Sequence, residues 1–275
     1  MSEAGVSRNW HRLFLTACLA VAAPVASAAL CDSRSVSWQA ARLIDLSEWD
    51  EFDAAGRKLV HESGPLQGAE LSVGLHCTAW HVQAQISQLD GERAYDGQTS
   101  TGVPAVSLSA ISVFQGHMQV GLPVTDAWTI ATRLSGQTLR RDIASTATAS
   151  GYPERYDWTL LSLGAQWQTA LGPGTFNLAV WSGSQLQSRM WINLPGFDPA
   201  VLPLGSINQL ELTAGWRTRL SQEWHFQADV RHVSTDISQG ADVVVTRGGV
   251  PAGVAHQPRT NMTDTQLAIR VGYEF

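Results

Sequence analysis

The chain ends on Leu267-Ala268-Ile269-Arg270-Val271-Gly272-Tyr273-Glu274-Phe275, with apolar side chains at every odd position and small or charged ones at every even position. A strand points successive side chains to opposite faces, so this segment has one greasy face and one polar face. The same alternation runs through the residues before it. Leu210, Leu212, Ala214, Trp216 and Leu220 share one face, with Glu211, Thr213, Gly215, Arg217 and Arg219 on the other. Trp224, Phe226, Ala228 and Val230 then alternate with His225, Gln227, Asp229 and Arg231. Strands of this kind predict staves of a closed transmembrane barrel, with lipid outside and a polar lumen inside.

An aromatic residue recurs where strands would leave one rim: Trp38, Trp80, Trp128, Phe176 and Trp224, at separations of 42, 48, 48 and 48 residues. Between each return and the next departure lie short segments rich in Gly, Pro, Asp or Ser, such as Gly172-Pro173-Gly174 and Ser221-Gln222-Glu223, which favour turns. The opposite ends are longer and polar, and read as loops over residues 90–105, 141–157, 188–207 and 234–264. The first hairpin is the exception, with a tight tip at residues 53–57. Short turns on one side and long loops on the other give an all-β, closed antiparallel barrel of about ten strands, with both termini periplasmic. Trp and Tyr at strand ends suit the membrane interface. The first strand, residues 38–52, alternates poorly, and a bulge near Ser47 would restore its register.

The N-terminus reads as an export signal over residues 1–28: Arg8, His11 and Arg12, an apolar stretch at 13–23, and the cleavage pattern Ala26-Ser27-Ala28. That stretch is too short for a membrane helix, which needs about 20 residues. A periplasmic arm, 29–37, would follow, then the barrel, 38–275. The terminal Phe275, with Tyr273 two before it, resembles the strand that the barrel-assembly machinery recognises. That machinery and the outer-membrane lipid are therefore the expected partners.

The composition agrees. Apolar residues make up 44% of 275, but mean hydropathy is only -0.06, so they are dispersed and not gathered into helical spans. A formal net charge of -6 argues against nucleic acid, which needs a basic face. After removal of the signal, Cys31 and Cys77 remain, in an oxidising compartment and on the same side of the scheme; they are candidates for a disulfide pinning the arm to the first turn. No Walker motif, zinc-type His/Cys cluster or dinucleotide fingerprint is present, so no cofactor or metal is expected.

Three groups of residues could carry chemistry, the third being His232 and Ser234 with Asp236. Glu211, Arg217, Arg219, Asp229, Arg231, Arg270 and Glu274 face the lumen by alternation. They would either pair into an ionic network filling a narrow barrel or line an anion-leaning pore. The second group is exposed: Asp90, Glu92, Asp96, Arg140-Arg141-Asp142 and Glu154-Arg155.

Ten strands, a tight first tip carrying Ala55-Gly56-Arg57-Lys58, and charged exposed loops resemble the omptin outer-membrane proteases. That resemblance implies an Asp-x-Asp pair after the third strand and an Asp-x-His pair after the seventh, holding a water that the histidine activates. This chain has Asp90-x-Glu92 and Asp96 in the first place. In the second it has Asp198 and no histidine. His232 lies on the ninth strand, and Asp229, three residues before it, falls on the opposite face. His232 and Ser234 share a lipid-side face with Asp236 and resemble the His-Ser pair of outer-membrane lipid A deacylases. The leading expectation is a non-enzymatic barrel with a filled lumen, acting through its exposed loops on an extracellular ligand the sequence does not specify. An omptin-like hydrolase and a narrow pore are the alternatives.

Overall fold

Thirteen strands account for most of the chain in the computed structural model, which describes residue 31 and residues 34–98, 102–147 and 149–275. The export signal and its cleavage site lie outside the described residues. In chain order the strands are β1 (Arg34–Phe52), β2 (Lys58–Cys77), β3 (His81–Gln98), β4 (Pro104–Pro123), β5 (Trp128–Ile143), β6 (Pro153–Leu171) and β7 (Gly174–Ile192). They continue as β8 (Ala200–Leu202), β9 (Ile207–Arg219), β10 (Trp224–Ile237), β11 (Val243–Arg247), β12 (Val250–Ala255) and β13 (Arg259–Glu274).

Ten of these are staves of one antiparallel sheet. Each long strand pairs with the next, β6 pairs with β7, β7 with β9, β10 with β13, and β13 closes on β1. Closure leaves no open edge between staves, so backbone groups facing an apolar surround are paired within the sheet. β8 adds three residues to the upper part of β7, and β11–β12 form a separate hairpin.

Alternation sorts the outer wall. Ile44, Leu46, Leu71, Leu122, Ile130, Leu163, Leu212 and Ile269 all stand exposed on it, forming an apolar band. At its lower edge Trp38, Trp224 and Tyr273 meet edge to face, with centroids 5.9 and 5.1 Å apart. The turns below are tight. Leu171 pairs with Gly174 across Gly172-Pro173, and Gly172 takes a positive φ that a side chain would disfavour.

The interior is layered. The lower lumen is polar, with Gln39, Gln83, Gln85, His117 and Gln119 around buried ion pairs. The upper lumen is an apolar core of Leu43, Trp49, Leu66, Leu139, Tyr156, Met190, Ile207 and Ile237, over which Leu202 and Leu204 fold. Inward glycines make room for rings on the facing strand: Gly164 for Trp181, Gly121 for His81 and Gly272 for His225.

Three expectations need correction. No bulge lies near Ser47: β1 runs in register with β13 throughout and shifts against β2 only at Glu51/Phe52. The strands also reach higher than their polarity suggested, leaving connections of 99–103, 144–152, 193–206 and 238–258 instead of the longer loops. The first strand starts at Arg34 and not at Trp38. One cause underlies the first two. Above the apolar band polar residues appear on the outer face and apolar ones on the inner face of several staves, β1, β5 and β6 among them, so the clean alternation is lost there.

Candidate functional site

In the lower lumen, the barrel has brought separate strands' charges together. Arg270 reaches Glu70 at 2.9 Å and also meets Asp229, which Gln227 holds at 2.8 and 3.0 Å. Arg133 meets Glu211 at 2.9 Å while its guanidinium lies 3.8 Å from the Trp181 ring, and Arg231 stands 3.9 Å from the same Glu211. Arg217 and Glu274 pair at 3.4 Å near the lower mouth, where Arg219 is exposed. Reading the sequence missed Glu70 and Arg133. Their strands mix polar and apolar residues at inward positions, so neither stood out. A cavity of about 200 Å³ remains among these groups.

A second ionic knot lies in the upper barrel. Arg141, fully buried, donates to Glu51 (2.7 Å), Glu62 (3.0 Å) and Glu154 (2.9 Å). Trp49 donates to Glu51, Ser109 to Glu62 and Tyr156 to Glu154. Arg93 stands 3.9 Å from Glu62. Two guanidiniums thus face three carboxyls. Burial pushes Glu154 up to about 7; Arg141 opposes this and repulsion from Glu51 adds to it.

The exposed candidates do not converge. Asp90, Glu92 and Asp96 lie on β3 itself, on its outer face, not in a loop. His232, Ser234 and Asp236 are on the outer face of β10, with His232 bonded to Thr265 at 3.0 Å. Strands β2, β1 and β13 separate the two groups. Asp198 is a clamp. It accepts from Thr246 (2.6 Å) and from the amides of Gly248 (3.1 Å) and Gly249 (2.9 Å), tying the β11–β12 tip to the connection below. These bonds, the Thr246 hydroxyl foremost, hold its carboxyl below the usual range. Cys31 and Cys77 form a disulfide, with an S–S distance of 2.01 Å.

Asp90 and Glu92 instead border a groove on the outer wall with Arg140, Arg155, Arg189 and Trp191. Arg140 on β5 sits directly opposite Arg155 on β6, and Arg155 opposite Trp191 on β7. Asp157 holds Arg155 at 2.7 and 3.1 Å, and Arg189 lies 4.4 Å from the Trp191 ring. Below the arginines a smaller cavity of about 270 Å³ has Phe114 and Gly136 at its base.

No protein-family profile matches the chain, and no curated protein sequence does either. Solved structures do. The outer-membrane protease OmpT of Escherichia coli superposes with a TM-score of 0.51 at 8% identity, covering 90% of this chain and 98% of that one. The fold is that of an outer-membrane β-barrel. The translocator domain of the autotransporter NalP from Neisseria meningitidis matches at 0.45 and 11% identity, over 97% and 96% of the two chains. The toluene transporter TbuX of Ralstonia pickettii matches at 0.41 and 10%, over 88% and 89%.

At this barrel's upper end two histidine–carboxylate pairs appear that were invisible in sequence. His256 meets Asp242 at 2.9 Å through its Nδ1, beside the β11–β12 hairpin. His61 meets Asp50 at 2.7 Å across the β1–β2 pair. The members are 14 and 11 residues apart, and only hairpin pairing joins them. A carboxylate on Nδ1 fixes the ring so that Nε2 faces outward.

Proposed function

We propose that this protein is a plugged, non-enzymatic outer-membrane barrel that works through rigid structure at its extracellular end. The observation that carries this is the filled interior. An apolar core closed by Leu202 and Leu204 stands above a paired ionic layer, so the barrel is a support and not a conduit. The support presents a stiffened hairpin, since Asp198 and the Arg247–Gly196 bond (2.7 Å) fix the β11–β12 tip, where Val244, Val250 and Val254 are exposed. Binding residues on such loops profit from a rigid scaffold. In this reading the barrel is exported by a cleaved signal near Ala28 and inserted by the assembly machinery through the strand ending at Phe275.

The test is conductance in planar bilayers. A plugged barrel gives no discrete steps. Steps whose size changes in Arg133→Gln or Arg231→Gln would overturn the reading.

One observation favours a second reading, a hydrolase: Asp242 orients the exposed His256 ring through its Nδ1, the arrangement a histidine general base would use. Cleavage of a mixed peptide library by wild-type protein but not by His256→Ala would favour it over the binding function.

A further inference from the structure

We propose that the lower-lumen cavity binds a small zwitterion from the periplasm, a molecule of amino-acid size carrying one ammonium and one carboxylate. The inference rests on the outer-membrane orientation proposed above and is independent of what the extracellular hairpin does.

The route in is the first argument. Gln39, Gln83, Gln119, Gln166, Asn177 and Gln227 come from six strands, line the cavity, and lie within five residues of their strands' lower ends. All but Gln119 are partly exposed, whereas Glu70, Asp229 and Glu211 behind them are buried, so solvent enters from below. The apolar core around Leu43 and Leu139 closes the cavity above. It is a dead end and not a channel, as a plugged barrel requires. An amide side chain both donates and accepts hydrogen bonds and carries no charge, so this collar admits polar solutes without sorting them by sign. Gln166 and Asn177 make no hydrogen bond within the protein, which leaves their amides free for a guest.

Charge is the second argument. Arg133 and Arg231 share Glu211, at 2.9 and 3.9 Å, and the Nε of each arginine has no acceptor. Asp264, above Arg231, accepts from the Ser47 hydroxyl instead. Glu70 and Asp229, conversely, share Arg270. One group has a cation to spare, the other a carboxylate to spare, and both border the same cavity. A free cation is repelled by the first group and a free anion by the second. A molecule carrying both charges answers both, and buried charge without a partner is costly. Guanidinium forks also match carboxylate oxygens.

Size is the third. At about 200 Å³ the cavity is smaller than the ~300–1,000 Å³ of pockets for drug-sized ligands. Its room comes from small inward residues, Ala179 and Ala268 among them. The guest is therefore small as well as doubly charged.

The test is saturation-transfer NMR on the refolded barrel in detergent micelles, with the signal of empty micelles subtracted. The probes are L-alanine and its two halves: propionate, which lacks the ammonium, and ethylamine, which lacks the carboxylate. The wild type gives a saturable alanine signal, and each half binds at least tenfold more weakly. Ala179→Leu, which fills the cavity, and Arg133→Gln, which removes the spare cation, each weaken alanine binding at least tenfold. Arg140→Gln on the outer wall leaves it unchanged. No saturable alanine signal in the wild type means that the cavity holds water only, and overturns the site. Propionate or ethylamine binding as tightly as alanine overturns the zwitterion as its ligand. Heat-modifiable gel mobility verifies folding; should Ala179→Leu fail it, Arg133→Gln decides, and unchanged alanine binding in that variant overturns the proposal.

Discussion

Replacing Arg141 with methionine removes the cation that touches Glu51, Glu62 and Glu154 together, at 2.7, 3.0 and 2.9 Å. Arg93, 3.9 Å from Glu62, is then left against three carboxyls. Deleting one member of a buried ionic group costs about 3–5 kcal/mol, because its partners stay buried without compensation. The survivors can escape by taking up protons. Holding a proton on a carboxyl with an ordinary pKa near 4.5 costs about 1.4 kcal/mol per pH unit, hence ~5 kcal/mol at pH 8 and under ~1 kcal/mol at pH 5. Once protonated they no longer stand as uncompensated buried charges, so the lost stability returns as pH falls toward 4.5. The expected penalty is about 3–5 kcal/mol at pH 8, shrinking to about 1 kcal/mol at pH 5. Urea unfolding of the barrel in lipid vesicles, followed by tryptophan emission at both pH values, measures it. An equal penalty at the two pH values, or one below about 1 kcal/mol at pH 8, would refute the assignment of this knot as a compensated charge cluster.

Glu154, pushed up to about 7 by burial, binds its proton more tightly folded than unfolded, so the wild-type barrel gains stability as pH falls from about 7 to 4.5. Glu154→Gln mimics the protonated form and flattens that slope in the urea midpoint; an unaltered slope would exclude Glu154 as its source. Asp198→Ala frees the β11–β12 tip, so trypsin cuts after Arg247 faster while the global urea midpoint stays put. Gly164→Val drives new atoms into the Trp181 ring, which packs directly against the glycine, and costs about 1–3 kcal/mol by overpacking. Adding Trp181→Ala should recover part of that loss, and no recovery would show that the backbone of Val180, also close, sets the penalty.

The lower half of the barrel was legible because one solvent stays on each side of the wall. Leu212 against Glu211 and Ile269 against Arg270 announce lipid outside and polar groups inside. Higher up the rule reverses. Inward Trp49, Tyr156 and Leu139 are apolar and outward Asp50, Arg155 and Arg140 are charged, as in a water-soluble barrel. A strand that crosses from one regime to the other breaks its own alternation, so β1 looked irregular and the polar outer faces of β3, β5 and β6 looked like loops. The arginine groove was hidden for the same reason. Arg140 and Arg155 were noticed as charges flanking a loop, but only register shows them face to face. The Asp242–His256 and Asp50–His61 pairs needed register as well.

The strand that completes the cylinder also completes its electrical circuit. β13 carries Arg270, whose two acceptors, Glu70 on β2 and Asp229 on β10, come from opposite sides of the seam. Were the last strand to zip up one residue out of step, Arg270 would turn into hydrocarbon and Ile269 into the ionic layer. The guanidinium therefore checks alignment at the moment of closure: a misaligned cylinder leaves two carboxylates unanswered inside and a bare cation in oil outside.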